Sequence, residues 1–448
     1  MFLLFSKLNV LMPLRIVEVR NFTLTPVTHA PFQRPNNGSY LGVLDRLRKY
    51  KEMVDCKKIA ASDTEAIRTA KRWTFNESFV WDLIGPAYDR CATMKSLFGF
   101  PNEPLSKEEE DFPLAYGMLS YKDSAQILFL LSSIYQPQNQ FCIAIDCKSS
   151  DGFKREMDII SKCFPNVHLL SVPPVKWCEF SVLQGVYACL EFLGNMKEDW
   201  KYYQYLSGTD LPAKTNLEMV RIFKALNGSF NAVLADYPPS RVPKHNQYIP
   251  LQMYKTSLSA TFSRQSAEFM INHRQTSSFL QYISKSECSD EAMWATLAGS
   301  PWVYPMPGSF NGALFRERLE SVYGTPNFVR GRRNFGLYTP EKYYISRFQV
   351  WYYHSMPCYG KHVQYSCVFG VRDVPGLLSR PELMLHKFYM SFQPAAYFCM
   401  YEAVRRRTYD PNWDFDAREF ADLPGPRMMR GENLKDFDML SPTGLDFF

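Results

Sequence analysis

Glycine-rich phosphate loops are missing from this chain. Neither GxGxxG nor GxxxxGK[ST] occurs where a strand would run into a helix, which excludes the familiar backbone cradles for nucleotides. There is no GxSxG elbow, so serine-hydrolase chemistry on an α/β sheet has no nucleophile. No cysteines form CxxC pairs with zinc spacing, which leaves metal ligation weakly supported. Long runs of positive charge are lacking too. Arg405-Arg406-Arg407 is the exception and reads as a solvated helix face, and 51 basic against 45 acidic residues give a formal charge of only +6. A nucleic-acid footprint is therefore not supported. Repeats and low-complexity tracts are absent. Met1 to Val17 is apolar-rich but is broken by Lys7, Pro13 and Arg15. It is too interrupted for a confident spanning helix and too irregular for a clean signal peptide.

What is present points to a folded, secreted-type chain. With 46% hydrophobic and 15% aromatic residues over 448 positions, a large core is available and disorder is excluded. The length allows two or three average domains, or one large α/β catalytic domain with flanks. Eleven cysteines and four sequons, at Asn21, Asn37, Asn76 and Asn227, favour an oxidising secretory compartment.

Residues 1–110 read as an N-terminal segment or stem with a degraded or missing membrane anchor. They carry a helix around Ser62–Arg72 and an exposed acidic run at Lys107–Asp111. Residues 111–405 read as the catalytic domain and 406–448 as a polar C-terminal tail. From Leu114 the pattern alternates: strands at 114–121, 141–146, 167–172 and 202–206, with helices at 125–135, 153–163 and 181–193. Thr215 to Glu218 is a capping box opening a helix to Leu226. This spacing predicts an α/β fold with a mainly parallel central sheet flanked by helices. Ligands then bind beyond the carboxyl ends of the strands, which groups Asp146, Trp177 and Asp210 at one crevice. Further on, the pattern predicts one helix over Ser266–Ile283, and a strand at Cys367–Gly370 followed by a helix ending in His386-Lys387-Phe388. Asp414-Phe415-Asp416 and Asp436-Phe437-Asp438 lie in the polar tail rather than at strand ends and are rejected as metal ligands.

Ser289-Asp290-Glu291 reads as the opening turn of a helix, with Ser289 as N-cap and Met293, Trp294 and Leu297 as its apolar face. The helix N-terminus favours an ionised carboxylate there, as a general base requires.

Several stretches share an order: Ile134 to Asn139, Cys142 with Asp146 and Lys148-Ser149, Cys163-Phe164 with Asn166-Val167, and Trp200-Lys201-Tyr202. Then come Gly208-Thr209-Asp210 with Pro212 and Lys214 to Glu218, Asp290-Glu291 with Trp294-Ala295-Thr296, Arg347-Phe348 with Trp351 and Tyr353, His362-Val363 and Lys387-Phe388. Together they resemble the core-2/I-branching β-1,6-N-acetylglucosaminyltransferases, and more distantly the peptide-O-xylosyltransferases. The resemblance runs over about 115–400 and is weakest over 225–285.

The resemblance implies a GT-A-like glycosyltransferase fold working without cofactor or divalent metal. The implied reaction is inverting transfer of a sugar, N-acetylglucosamine by family default, from a UDP-sugar to an O-glycan hydroxyl in β-1,6 linkage. Glu291 matches the catalytic base and Lys387 the diphosphate-binding lysine. Gln364 falls where the family has a second basic residue, with Arg372 a nearby substitute. Asp146 matches the acid that reads uracil, Trp177 an aromatic near the nucleotide, and Asp210 joins the donor group. Trp351 and Tyr353 match acceptor aromatics; Asp236, Arg241 and Lys244 are stand-ins for the acceptor-loop acid and basic residues. The implied bridges are Cys56–Cys399, Cys91–Cys163, Cys142–Cys189 and Cys358–Cys367. Of the remaining three, Cys147 and Cys178 are able to pair, leaving Cys288 free. The implied setting is a Golgi membrane with a lumenal catalytic domain and a glycoprotein acceptor. The alternatives are a related UDP-hexose (glucosyl or xylosyl) transferase, or a catalytically weak homologue that binds glycans.

Overall fold

A computed structural model of the chain describes residues 39–243, 249, 251–323, 328–329, 332–333, 343–352 and 356–436. The segment Met1–Val17, Tyr353, Lys244 and the Asp436-Phe437-Asp438 side chains lie outside this description. No helix among the described residues is long and apolar enough to cross a membrane.

The apolar runs predicted as strands are covered on both faces, as a parallel sheet requires. β1 (Leu114–Ser120), β2 (Gln140–Asp146), β3 (Val167–Val172) and β4 (Tyr202–Ser207) pair in parallel in the order β3-β2-β1-β4. Helices Ser124–Ile134, Asp151–Cys163 and Phe180–Gly194 make the crossovers. After β5 (Asp210–Pro212) the chain forms the two-residue strands β6 (Ala235–Asp236) and β7 (Tyr254–Lys255), which pair with each other. Then β8 (Thr261–Ser263) closes the sheet antiparallel to β4. Gly117 is required in β1 because the Tyr203 ring on β4 occupies the space a Cβ would need.

Two cores sandwich the sheet. One holds helices Ser124–Ile134, Asp151–Cys163 and Ala395–Tyr409 together with the N-terminal residues Val43, Ile59, Trp73, Val80 and Met94. The other holds Phe180–Gly194, Arg264–Asn272 and Met293–Ala298. The N-terminal segment thus shares the catalytic core. The stretch set apart as a tail begins inside helix Ala395–Tyr409, and Phe420 and Leu423 pack into the first core. Trp413 Nε1 donates to Glu218 Oε1 at 2.7 Å.

Four local expectations are corrected. Arg405 is not a solvated residue: it is buried, and its guanidinium donates to the carbonyls of Phe98, Gly99, Tyr40 and Ser132. The helix over 266–283 is split at His273, whose backbone is extended and whose ring caps the second half, Arg274–Ile283, by accepting Gln275 N–H. The helix after Cys367 ends at Leu378, because Pro381 follows. The residues before Lys387 instead form a strand that pairs antiparallel with β5. Finally, the four bridges implied by the resemblance are present, but the fifth joins Cys178 to Cys288 and leaves Cys147 free and exposed. Cys178 and Cys288 both adopt left-handed backbone, and Cys288 N–H donates to Cys178 O at 2.8 Å, which holds the two turns together.

Candidate active site

Glu291 closes a single 3₁₀ turn, Ser289–Glu291, before helix Met293–Ala298. Ser289 is not the cap. Cys288 occupies that position, and the Ser289 side chain is buried with no hydrogen-bond partner. The turn is held from β7 and the segment after it: Thr256 N–H donates to Glu291 O at 2.8 Å, and Trp294 Nε1 to Leu258 O at 2.8 Å. The two acids diverge sharply. Glu291 stays partly exposed, with Oε2 held by Arg241 Nη1 at 2.6 Å and Lys255 Nζ at 3.3 Å. Asp290 is turned inward. Burial, and then the neighbouring Glu291 charge, push its carboxyl up to about 7, so the expected ionised state does not extend to it.

Asp146 ends β2. Its Oδ1 accepts Lys148 N–H at 2.9 Å and its Oδ2 accepts Val175 N–H at 3.3 Å, with Lys148 Nζ at 3.5 Å. The carboxylate is therefore latched to the loop after β3, from which Trp177 projects, 70% exposed.

A small second sheet supplies the cations. β9 (Phe348–Gln349) runs parallel to the strand before Lys387, and the hairpin of β10 (Lys361–Val363) and β11 (Ser366–Val368) stands beside it. That strand is β12 (Met384–His386), paired with β5 so that His386 faces Asp210. His386 Nδ1 lies 2.7 Å from Asp210 Oδ1, and Ser207 N–H and Oγ–H also donate to this carboxylate. Burial alone would raise Asp210, but the His386 hydrogen bond, nearby positive charge and the Ser207 amide hold it below its ordinary value. Burial, and then the Arg347 charge, bring His386 down to about 4, so the ring is neutral at neutral pH and donates through Nδ1. Lys387 is likewise lowered to about 8, by burial first and Arg347 second. Its Nζ donates to Val363 O at 3.1 Å, and Gln364, at the exposed hairpin tip, follows directly. Arg372 stacks on the Tyr359 ring at 4.3 Å.

Trp351 bridges to Ser366 on β11 and so lies beside the same hairpin. Asp236 is not gathered with Glu291. In the β6–β7 pair Ala235 sits opposite Lys255, so Asp236 projects from the other face and is bound by Arg316 at 2.9 and 2.6 Å. Cys178, Glu287 and Cys288 cluster closely enough to hold a metal, but both sulfurs are taken up in their mutual bridge.

Three residues of this site were not singled out from the sequence. Arg347 is buried, with Nε lacking a partner and Nη2 3.3 Å from Ser257 Oγ, and its charge acts on Asp210, His386 and Lys387 together. Lys255 reaches Glu291 only through the β6–β7 pairing. His386 was hidden in a predicted helix. Arg347 had a signal, since it opens the Arg347-Phe348 match; Lys255 had none.

The arrangement combines a half-open carboxylate on one side with buried cations on the other, at the carboxyl edge of a parallel sheet. A family model described as Core-2/I-Branching enzyme matches residues 114–323. The chain is 30% identical over 393 residues to a beta-1,3-galactosyl-O-glycosyl-glycoprotein beta-1,6-N-acetylglucosaminyltransferase of Bos taurus, an alignment covering 80% of this chain and 86% of that one. It is 28% identical over 386 residues to the Bos taurus enzyme of that name numbered 3, covering 80% and 83%. With the transferase of Bovine herpesvirus 4 it shares 27% over 395 residues, again covering 80% and 83%. At this identity and coverage, with the matching family model, the chain belongs to the core-2/I-branching enzyme family.

Proposed function

We propose that this chain is an inverting glycosyltransferase that moves N-acetylglucosamine from its UDP-sugar to a hydroxyl of an O-glycan acceptor in β-1,6 linkage, without a divalent metal. The observation that carries the reading is the pairing of Glu291, partly exposed and fixed through one oxygen, with the buried cations Lys387 and Arg347. Glu291 takes the proton from the acceptor hydroxyl as its oxygen attacks the anomeric carbon, a role worth ~10²–10⁴-fold. The departing diphosphate gathers negative charge, which Lys387 and Arg347 stabilise in a largely water-excluded setting. Gln364 adds a neutral donor. Asp146 and Trp177 hold the nucleotide, and Asp210 orders the strand before Lys387 through His386. Trp351 and Tyr353 form the acceptor platform. The bridges suit a Golgi lumen.

The test is transfer from radiolabelled UDP-N-acetylglucosamine to a core-1 disaccharide, with and without EDTA. Transfer that survives EDTA is expected; loss on chelation would sink the metal-free mechanism. UDP-glucose and UDP-xylose run alongside decide the sugar. A second reading, a glycan-binding homologue with little turnover, is favoured by Gln364 standing where a cation is expected; acceptor binding without transfer from any UDP-sugar would establish it.

A further inference from the structure

The loop between β3 and helix Phe180–Gly194 is fastened at both ends, each to a different part of the proposed site. At its start Val175 N–H donates to Asp146 Oδ2, and Lys148 Nζ donates to Val175 O at 2.7 Å. At its end Cys178 is bonded to Cys288, and Cys178 O accepts Cys288 N–H at 2.8 Å. Glu291 N–H in turn donates to Cys288 O at 2.9 Å, so the base lies one turn beyond the bridge. Trp177 stands exposed between the two fastenings. The turn's other ties run elsewhere than this loop: Glu291 O accepts Thr256 N–H, Glu291 Oε2 is held by Arg241 and Lys255, and Trp294, just beyond the turn, donates to Leu258 O.

We propose that the Cys178–Cys288 bridge is a positioning element of the transfer reaction, coupling the nucleotide loop around Trp177 to the turn that carries Glu291. The inference rests on the proposed function above. A 3₁₀ turn of three residues has little rigidity of its own. In-line attack needs the base, the acceptor oxygen and the donor carbon in register, and misplacement by about 1 Å costs ~10²-fold. The bridge supplies that register covalently. Nucleotide settling against Trp177 also fixes the base.

Pairing is settled first. Peptide mapping of alkylated, unreduced protein should yield a linked Cys178–Cys288 peptide and a single titratable thiol, Cys147; a linked Cys147–Cys178 peptide overturns the proposal. Next, Cys178→Ala/Cys288→Val in the full chain is compared with wild type. The expected result is a kcat lower by ~10- to 100-fold, with UDP affinity and acceptor KM changed less than about threefold. Cys56→Ala/Cys399→Val, remote from the site, should lower Tm but leave kcat unchanged below the melt. The same outcome for the Cys178/Cys288 pair would make that bridge a stabiliser only and overturn the proposal. Hydrogen exchange on wild-type protein needs no variant to fold. Added UDP should slow exchange in both 174–179 and 286–292, and protection confined to 174–179 overturns the coupling. Absence of transfer by wild type would instead defeat the proposed function, with the exchange result still deciding the bridge.

Discussion

Arg241 Nη1 and Lys255 Nζ both contact Oε2 of Glu291, at 2.6 and 3.3 Å, while among the described residues Oε1 has no polar partner. One oxygen is an anchor and the other is left to receive a proton. Glu291→Gln keeps the shape and the anchor but removes the basicity. It should lower kcat by ~10²–10⁴-fold with UDP affinity within about threefold of wild type, measured by transfer assay and calorimetry. A variant that lost UDP binding in step with activity would remove the base assignment.

The donor side predicts a pH dependence. Lys387, lowered to about 8, binds diphosphate as the ammonium, and above that pH the charged fraction falls about tenfold per unit. From about pH 7, where the UDP phosphate is fully charged, UDP affinity should therefore weaken as pH rises through 8, and Lys387→Met should remove that fall. Arg347→Met should weaken UDP binding across the whole pH range, since it removes a buried charge that acts on Lys387 and His386 together. If Arg347→Met left UDP binding and turnover unchanged, the charge missing at Gln364 would not be supplied by Arg347.

Two buried groups set opposing slopes in stability. His386 is lowered from 6.5 to about 4, so between those values the unfolded chain binds a proton that the native one does not, and stability rises with pH. Asp290 is raised from 3.8 to about 7, so over the same window the native chain holds the extra proton and stability falls as pH rises. The two slopes therefore oppose each other between pH 4 and 6.5. Relative to wild type, His386→Gln should lose stability with rising pH and Asp290→Asn should gain it. Urea unfolding at pH 4.5 and 6 reads both signs.

Much of this was legible in the sequence because strand runs, the Thr215 capping box and the Asp146 strand end are local patterns. The capping box is present, with Thr215 Oγ accepting Glu218 N–H at 3.1 Å and Glu218 Oε2 accepting Thr215 N–H at 2.7 Å. What the sequence hid depends on contacts far along the chain. Met384 to His386 lacks alternation and reads as helix until β5 pairs with it, and the partner of Cys178 is 110 residues away. Asp290 and Glu291 look equivalent until the left-handed Cys288 turn sends one inward and the other out.

Arg405 carries the same lesson into stability. Three consecutive arginines look alike in the sequence, yet the helix exposes Arg406, half-buries Arg407 against Ala213 O and Glu218, and sends Arg405 fully into the core. There it ties the N-terminal segment to the sheet layer through Tyr40 O at 3.1 Å, Phe98 O at 2.6 Å, Gly99 O at 2.9 Å and Ser132 O. Its guanidinium also stacks on Tyr409, 4.9 Å from the ring centre. Arg405→Met fills most of the volume but strands those carbonyls, and each charged hydrogen bond lost costs ~1.5–3 kcal/mol before relaxation. A net loss of about 3 kcal/mol or more is expected in urea unfolding. Arg406→Met, which removes one i,i+4 pair between a half-exposed arginine and Glu402 and leaves Glu402 its bond from Tyr50, should cost about 1 kcal/mol or less. Equal effects from the two would mean that Arg405 is solvated and that residues 39–110 do not share the catalytic core.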